Sequence, residues 1–448
     1  MDEESLKKLA KLSEESSLIE EELYKKYSVK RGLRNEDFTG VLVGLTHVGC
    51  VKGYDIVDGK AVPIQGMLLY RGMDVKDLVN GFQEDNRSGF DETAFLLLFG
   101  KLPTEQELGL FSEHLSELRD LPEHFTEDMI LKLKGKDVMN MLARSVLALY
   151  ALDENADDTS TLNILKQSIN LIARFPAIIA YSYYSMRHSY QHKHLVIRHP
   201  KKKLHTAENF LYMLKGNKKY TELEAKLLDL VLVLHAEHGG GNNSSFTTRV
   251  VSSSGTDSYS VIAAALGSLK GPLHGGANIK VKKMMDDIKK NVKDWKDDKE
   301  VSEYLIKILK KEAFDGLGKI YGFGHAVYTL SDPRAVLLKE KARELAKEKE
   351  RVDEFELYES LERLFPKVFA EFKKTTKIIS PNVDFYSGFV YDCIGIPEEV
   401  YTPLFAMARI TGWCAHRLEE LISSRRIIRP AYKSVAGSKE CLPISERK

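Results

Sequence analysis

Four short stretches in the C-terminal half of the chain place ionisable side chains where helices should begin or end. They are His235-Ala-Glu-His-Gly-Gly-Gly-Asn-Asn, Gly271-Pro-Leu-His-Gly-Gly-Ala-Asn, Gly322-Phe-Gly-His-Ala-Val and Pro381-Asn-Val-Asp-Phe-Tyr-Ser-Gly. Neutral imidazoles and a partly desolvated carboxylate are what proton transfer near neutral pH requires. The pattern therefore reads as acid-base chemistry on a small substrate.

Each stretch has its own logic. Pro272 stops one helix and the run from Ala277 through Ile279, Val281, Met284 and Ile288 starts another, so His274 sits just before a helix N-terminus. The partial positive charge there disfavours imidazolium, and a neutral histidine can donate to a developing enolate oxygen, as one does in triosephosphate isomerase. After His325, Asp332 reads as a helix N-cap with Pro333 at the first helical position. Arg334 then enters at a helix start, where its own charge is unfavourable unless an anion shares the place. Apolar neighbours of Asp384 favour its protonated form, whereas a following helix start favours the charged form; the bland reading makes Asp384 an N-cap. His235 and His238 end a helix at three glycines, a setting that suits hydrogen bonding to a small polar substrate better than metal ligation. Arg409 falls inside the apolar run Leu404-Phe-Ala-Met-Ala-Arg-Ile-Thr-Gly-Trp, so it either snorkels to solvent or meets a ligand carboxylate. Arg429-Pro430 follows the basic run Arg425-Arg-Ile-Ile, whose default reading is a solvated surface.

These residues need a frame, and helical periodicity supplies it. Apolar spacing predicts helices near 137–152, 161–186, 206–214, 221–237, 257–269, 277–290, 300–315, 333–349, 353–374 and 398–423. Thr104 caps a further helix start at Pro103-Thr-Glu-Gln-Glu-Leu. Residues 2–27 read as an amphipathic arm carrying Leu6, Leu9, Leu12, Leu18, Ile19 and Leu23, and residues 40–80 as small β-hairpins. No βαβ alternation and no internal repeat appear, which favours a mainly α, multi-helical fold with a minor β component. The Lys- and Glu-rich helices between about 280 and 375 suggest a smaller subdomain inserted into a larger one.

Bulk properties set limits. The chain has 448 residues, 43% hydrophobic, enough for a large core. With 66 Lys and Arg against 65 Asp and Glu, no global field exists to hold nucleic acid or an anionic membrane. No apolar run is long enough to span a bilayer, and the mixed charges of the N-terminus argue against a targeting signal, so a cytoplasmic protein is expected. Cys50, Cys393, Cys414 and Cys441 are widely spaced, and free thiols are expected. The segment from Arg187 to Lys203 carries histidines at 188, 192, 194 and 199 among Arg and Lys. It reads as a solvated linker, as a basic loop that touches a phosphorylated ligand or, against the repulsion of its cations, as a metal site.

Taken together, these stretches resemble the citrate synthase family. The likeness runs from about Gly44 to Gly437 and includes Leu68-Leu-Tyr-Arg-Gly, Phe95-Leu-Leu-Leu-Phe-Gly-Lys-Leu-Pro-Thr and Ala207-Glu-Asn-Phe-Leu-Tyr-Met. Its specificity comes from three motifs in order: Gly-Pro-Leu-His-Gly-Gly-Ala-Asn, Gly-Phe-Gly-His-Ala-Val with Asp-Pro-Arg, and Asn-Val-Asp-Phe-Tyr-Ser-Gly. The resemblance implies a mainly helical homodimer with a large domain (36–276 and 389–448) and a small domain (277–388) that closes over the substrates, preceded here by the N-terminal helical arm (1–35). It also implies condensation of acetyl-CoA, as co-substrate rather than permanent cofactor, with oxaloacetate, followed by thioester hydrolysis. By motif position, Asp384 would be the base, His274 the neutral donor to the enol and His325 the donor to the ketone oxygen. His238, Arg334 and Arg409 would hold oxaloacetate, with Arg429 reaching in from the partner subunit. No metal is implied, and the coenzyme's contacts are assigned to no residue beyond the neighbourhood of 322–328. The same motifs fit 2-methylcitrate synthase, which takes propionyl-CoA, while a noncatalytic helical scaffold is the alternative of a different class. The long arm, the loose Thr46-His47-Val48-Gly49-Cys50 start, the histidine-rich segment and Val435-Ala-Gly after Arg429-Pro430 depart from the family pattern.

Overall fold

A computed structural model describes residues 2–446 except 36–38, 59, 377, 425, 439 and 442, and the side chain of residue 61. The fold is mainly α with one three-stranded antiparallel sheet, as the patterning predicts. The chain divides into two compact units, Met1–Arg87 with Ala277–Ile396 and Ser88–Gly276 with Pro397–Lys448.

In the first unit, strands β1 (Gly49–Val57), β2 (Lys60–Tyr70) and β3 (Met73–Asp74) pair in chain order. The sheet is not a free hairpin, because its middle strand rests on the segment that follows His325. The Gly66 amide and Gln65 Oε1 both bond the Ser331 hydroxyl, at 3.2 and 2.6 Å, and Tyr328 donates its hydroxyl to the Met67 carbonyl at 3.3 Å. Gly66 is needed for this approach, since a Cβ there would collide with the Ser331 carbonyl oxygen. Helices Val75–Glu84, Ala277–Asn291, Asp298–Leu309, Pro333–Glu348, Val352–Lys373 and Val383–Ile394 also belong to the unit. Their buried faces are aliphatic and aromatic, with Phe355, Tyr358, Phe385, Tyr386 and Phe389 in mutual ring contact.

The arm lies in this unit as two helices, Glu3–Ser17 and Glu21–Lys26. Leu18 is extended and ends the first of them. Leu6, Leu9 and Leu12 are exposed on it.

The second unit is built around helix Tyr401–Glu419, buried along nearly its whole length, and the long helix Thr161–Gln191. The latter runs past the expected end at 186 to Gln191, and His192 closes it in the left-handed conformation at φ 53°. Helix Asn243–Ser252 has no apolar stripe to betray it. Its buried residues are Ser244, Ser245, Thr248, Arg249 and Ser252, and Thr248 satisfies its hydroxyl on the Ser244 carbonyl at 2.9 Å. Small polar side chains let neighbouring helices approach closely here, so hydrophobic periodicity misses the element.

The histidine-rich segment is anchored rather than loose throughout. Arg198 donates to the Tyr184 hydroxyl at 2.9 Å and to the Met213 carbonyl at 3.0 Å, holding the C-terminal carbonyls of helix Thr206–Lys215. His188, His192, His194 and His199 are exposed, and among the described residues no group of three or more His, Cys, Asp or Glu side chains could hold a metal ion. No described helix is long and apolar enough to cross a membrane. All four cysteines are free thiols. Of the basic run before Arg429, Arg425 lies outside the described residues, and Arg426 and Ile427 are exposed.

Because the β2 strand is pressed onto residues 328–333, adding one methyl at Gly66 should be felt. We expect Gly66→Ala to destabilise the protein by about 1–3 kcal/mol through overpacking, read from urea unfolding; a midpoint equal to that of the parent protein would show that the sheet does not bear on this segment.

Candidate active site

Within the first unit, hydrogen bonds tie together the segments that carry His325, Arg334 and Asp384. The backbone crosses itself at a bridge between Phe323 and Pro381. Gly324 donates to the Ser380 carbonyl, and Asn382 donates through its backbone to Gly322 and through its side-chain amide to Gly324, all at 2.9–3.0 Å. Asn382 also caps helix Val383–Ile394, accepting the Asp384 amide at 3.1 Å. The bland reading of Asp384 as an N-cap is thereby corrected. Asn382 takes that position, and Asp384 is the second residue of the helix, half-buried.

Asp332 is the centre of this arrangement. It is the N-cap of helix Pro333–Glu348, with Pro333 in the first turn, and it also binds the Arg334 guanidinium bidentately, to Nε at 3.0 Å and Nη2 at 2.7 Å. The anion that the awkward position of Arg334 calls for is thus present in the chain. The same carboxylate accepts the Val383 amide at 3.2 Å, linking the arginine to the helix of Asp384. Asp332 and Arg334 are both buried.

His325 has a fixed tautomer. Its Nδ1 accepts the backbone amides of Val327 and Tyr328 at 3.0 and 3.1 Å, so the neutral ring carries its hydrogen on Nε2. The ring stacks on Tyr328 with centroids 4.6 Å apart. Burial, with the Arg334 guanidinium as the second cause, pushes its pKa down to about 4.

Within the second unit, Phe405 is the shared surface for a second set. The His235 ring stacks on it at 4.7 Å, the His274 ring meets it edge-on at 6.1 Å, and the Arg409 guanidinium lies over it at 4.8 Å. Arg409 is fully buried, so it does not snorkel; its Nε donates to the His235 carbonyl at 2.6 Å. His274 lies in the turn between helices Ser258–Lys270 and Ala277–Asn291, with Nε2 3.0 Å from the Ser244 hydroxyl. That hydroxyl also accepts the Trp413 indole N–H at 3.1 Å and donates its hydrogen to Asn242 Oδ1 at 3.0 Å. Burial first, and the Arg409 charge second, bring the His274 pKa down to about 4. His238 is buried just beyond the end of helix Glu222–His235. Arg429 is exposed, in a segment without regular secondary structure that follows the helical turn Glu420–Ser424.

Reading the sequence misses Phe405, Ser244, the ion-pairing role of Asp332 and a buried Glu237–His416 pair. One signal exists for the last. His416 follows Arg409 by seven residues, two turns along one helical face, in an otherwise apolar helix.

The architecture is mainly helical with a small sheet, and it carries two imidazoles held neutral, a carboxylate at a helix start and two buried arginines, groups suited to acid-base chemistry on an anionic substrate. Comparisons agree and go further. The family model for the citrate synthase C-terminal domain matches residues 37–431. A citrate synthase of Haloferax volcanii is 35% identical, covering 94% of this chain and 99% of the relative, and a 2-methylcitrate synthase of Shewanella oneidensis is 34% identical over 85% and 92%. A solved ternary complex of carboxymethyl coenzyme A and oxaloacetate with citrate synthase of the archaeon Thermoplasma acidophilum superposes with a TM-score of 0.76 at 29% identity, covering 94% of this chain and 99% of that one. The chain belongs to the citrate synthase family and is an acyltransferase-type enzyme.

The depressed imidazole pKa values have a stability consequence of definite sign. Unfolding returns both rings to their ordinary value of 6.5. Between about 4 and 6.5 the unfolded chain then binds more protons than the folded one, so these rings make stability rise with pH across that window. We expect the parent protein's urea midpoint to climb more steeply over this range than that of His274→Gln; parallel curves would show that His274 is not held neutral by the fold.

Proposed function

We propose that this chain condenses acetyl-CoA with oxaloacetate and hydrolyses the resulting citryl-CoA to citrate and CoA. The observation that carries the reading is that His274 and His325 are both desolvated and uncharged near neutral pH, each beside a buried arginine. A carbon acid next to a thioester is too weak for a carboxylate alone to deprotonate efficiently, so a hydrogen-bond donor must meet the carbonyl oxygen as the proton leaves.

In the proposed reaction, Asp384 removes a proton from the acetyl methyl and the C–H electron pair becomes the enol double bond. His274 donates to the enol oxygen from Nδ1. This requires the Ser244 hydroxyl to turn its hydrogen from Asn242 Oδ1 to Nε2, giving up the bond it donates there, while the indole N–H of Trp413 only donates and keeps its place. The enol carbon then attacks the ketone carbon of oxaloacetate while His325 supplies a proton to the ketone oxygen from Nε2, the ring nitrogen not occupied by backbone amides. His238, Arg334 and Arg409 hold the two carboxylates of oxaloacetate, as bidentate guanidinium chemistry suits. Water finally cleaves the thioester, its hydroxyl going to the acyl carbon and a hydrogen to the departing CoA sulfur, and the proton taken by Asp384 returns through solvent to the His325 ring. Arg429, exposed on its own chain, would serve the site of a second copy in a homodimer.

A specific observation favours a second reading. The Shewanella relative is a 2-methylcitrate synthase with nearly the same identity as the Haloferax enzyme. One methylene in an apolar acyl pocket is worth only about 1–3 kcal/mol, so selectivity between acetyl-CoA and propionyl-CoA is set by pocket fit rather than by the proton-transfer residues.

Thiol release with oxaloacetate and each acyl-CoA at equal concentration tests both readings, and no release with either would favour the noncatalytic scaffold. We expect Asp384→Gly to bind oxaloacetate near normally in calorimetry while losing turnover by at least about 100-fold. Turnover close to the parent rate would remove Asp384 from the base role.

A further inference from the structure

The loop after helix Glu222–His235 carries His238, and it is held from beneath by one face of helix Tyr401–Glu419. Positions spaced at helical intervals along that face and its C-terminal end share the work. Arg409 binds the His235 carbonyl at 2.6 Å. Gly412 lies under Ala236 and Glu237, where any Cβ would collide with the Ala236 carbonyl oxygen and the Glu237 carboxylate. His416 donates from Nε2 to Glu237 Oε1 at 2.9 Å. Glu419 and Glu420 pair with Arg249, the latter at 3.0 Å.

The protonation pattern of this network follows from its donors. A guanidinium only donates, so the 2.7 Å contact of Arg249 Nη2 with His416 Nδ1 makes that nitrogen an acceptor and leaves the ring hydrogen on Nε2, aimed at Glu237. Glu237 in turn accepts the Gly239 amide, the residue next to His238. Burial opposes ionisation of Glu237, yet His416, Arg409 and the Gly239 amide together hold its carboxyl below the ordinary value. Glu237 and His416 are both fully buried, so nothing in solvent can take the place of a lost partner.

We propose that Glu237, His416 and Arg249 are positioning residues for oxaloacetate. The relay from Arg249 through His416 to Glu237 and the Gly239 amide sets the loop on which His238 meets the substrate. None of the three touches the reacting atoms. This rests on the reading that His238 binds oxaloacetate, and it adds the residues that give His238 its place. A misplacement of about 1 Å at a substrate-holding side chain is enough to change binding of the correct geometry by up to two orders of magnitude.

The test separates positioning from stability. In purified full-length protein, His416→Phe removes both bonds of the imidazole, His416→Gln keeps a donor and an acceptor at similar reach, and Glu237→Gln changes one atom and is the fallback if the phenylalanine variant fails to fold. Steady-state thiol release, equilibrium binding of oxaloacetate by calorimetry and thermal unfolding are measured on each. We expect the KM and Kd for oxaloacetate to rise roughly tenfold or more in His416→Phe and Glu237→Gln. The KM for acetyl-CoA should stay within about threefold, and His416→Gln should recover most of the loss. A merely structural role would lower the melting temperature and the active fraction while leaving both KM values in place. Folded variants with unchanged oxaloacetate Kd would overturn the proposal. A parent protein that does not bind oxaloacetate at all would instead overturn the functional reading beneath it.

Discussion

A guanidinium taken out of water must find an anion or an ordered carbonyl, and that requirement organises both groups of candidate residues. Arg334 meets it with Asp332, which offers both oxygens to the fork. The consequence spreads, because the same two oxygens also cap the helix of Arg334 and receive the amide of Val383. Compensating one buried charge therefore fixes the start of two helices, one of which carries Asp384. Arg409 meets the requirement differently, with the His235 carbonyl and the face of Phe405. Its solution uses backbone at the end of a helix, and in doing so pins the loop of His238. The arginines are thus structural anchors in their own right.

This explains why some of the site is legible in the sequence and some is not. Local signals read well. The cap at Asp332 with Pro333 behind it depends only on residues near in the chain, and the structure has that helix start. The long helices with apolar stripes, such as 138–150 and 222–235, follow from periodicity within a residue or two of their ends. Signals that depend on distant partners are silent. Nothing near Glu237 announces that its carboxylate meets His416, 179 positions on, and nothing near Ser244 announces Trp413. Asn243–Ser252 escapes because its buried residues are serine, threonine and arginine, which periodicity counts as polar. Asp384 is open to two readings in sequence because Asn382 and Asp384 are both residue types that cap helices, two positions apart, and only backbone geometry chooses between them.

The two imidazoles show how binding and proton transfer are coupled in the proposed reaction. Each has burial as the larger cause of its low pKa and a guanidinium as a smaller one. A carboxylate settling on Arg334 or Arg409 cancels the guanidinium's effect on the neighbouring ring, which by itself would move the ring back towards protonation. Burial is untouched by that exchange, and displacement of water by the substrate deepens it. In the proposed reaction the rings would therefore stay neutral with the diacid bound, and the hydrogen each one donates would be the single hydrogen of a neutral imidazole. A design in which the arginines supplied most of the shift would lose its neutral donors at the moment the substrate arrived, whereas one in which desolvation dominates keeps them through the chemical step.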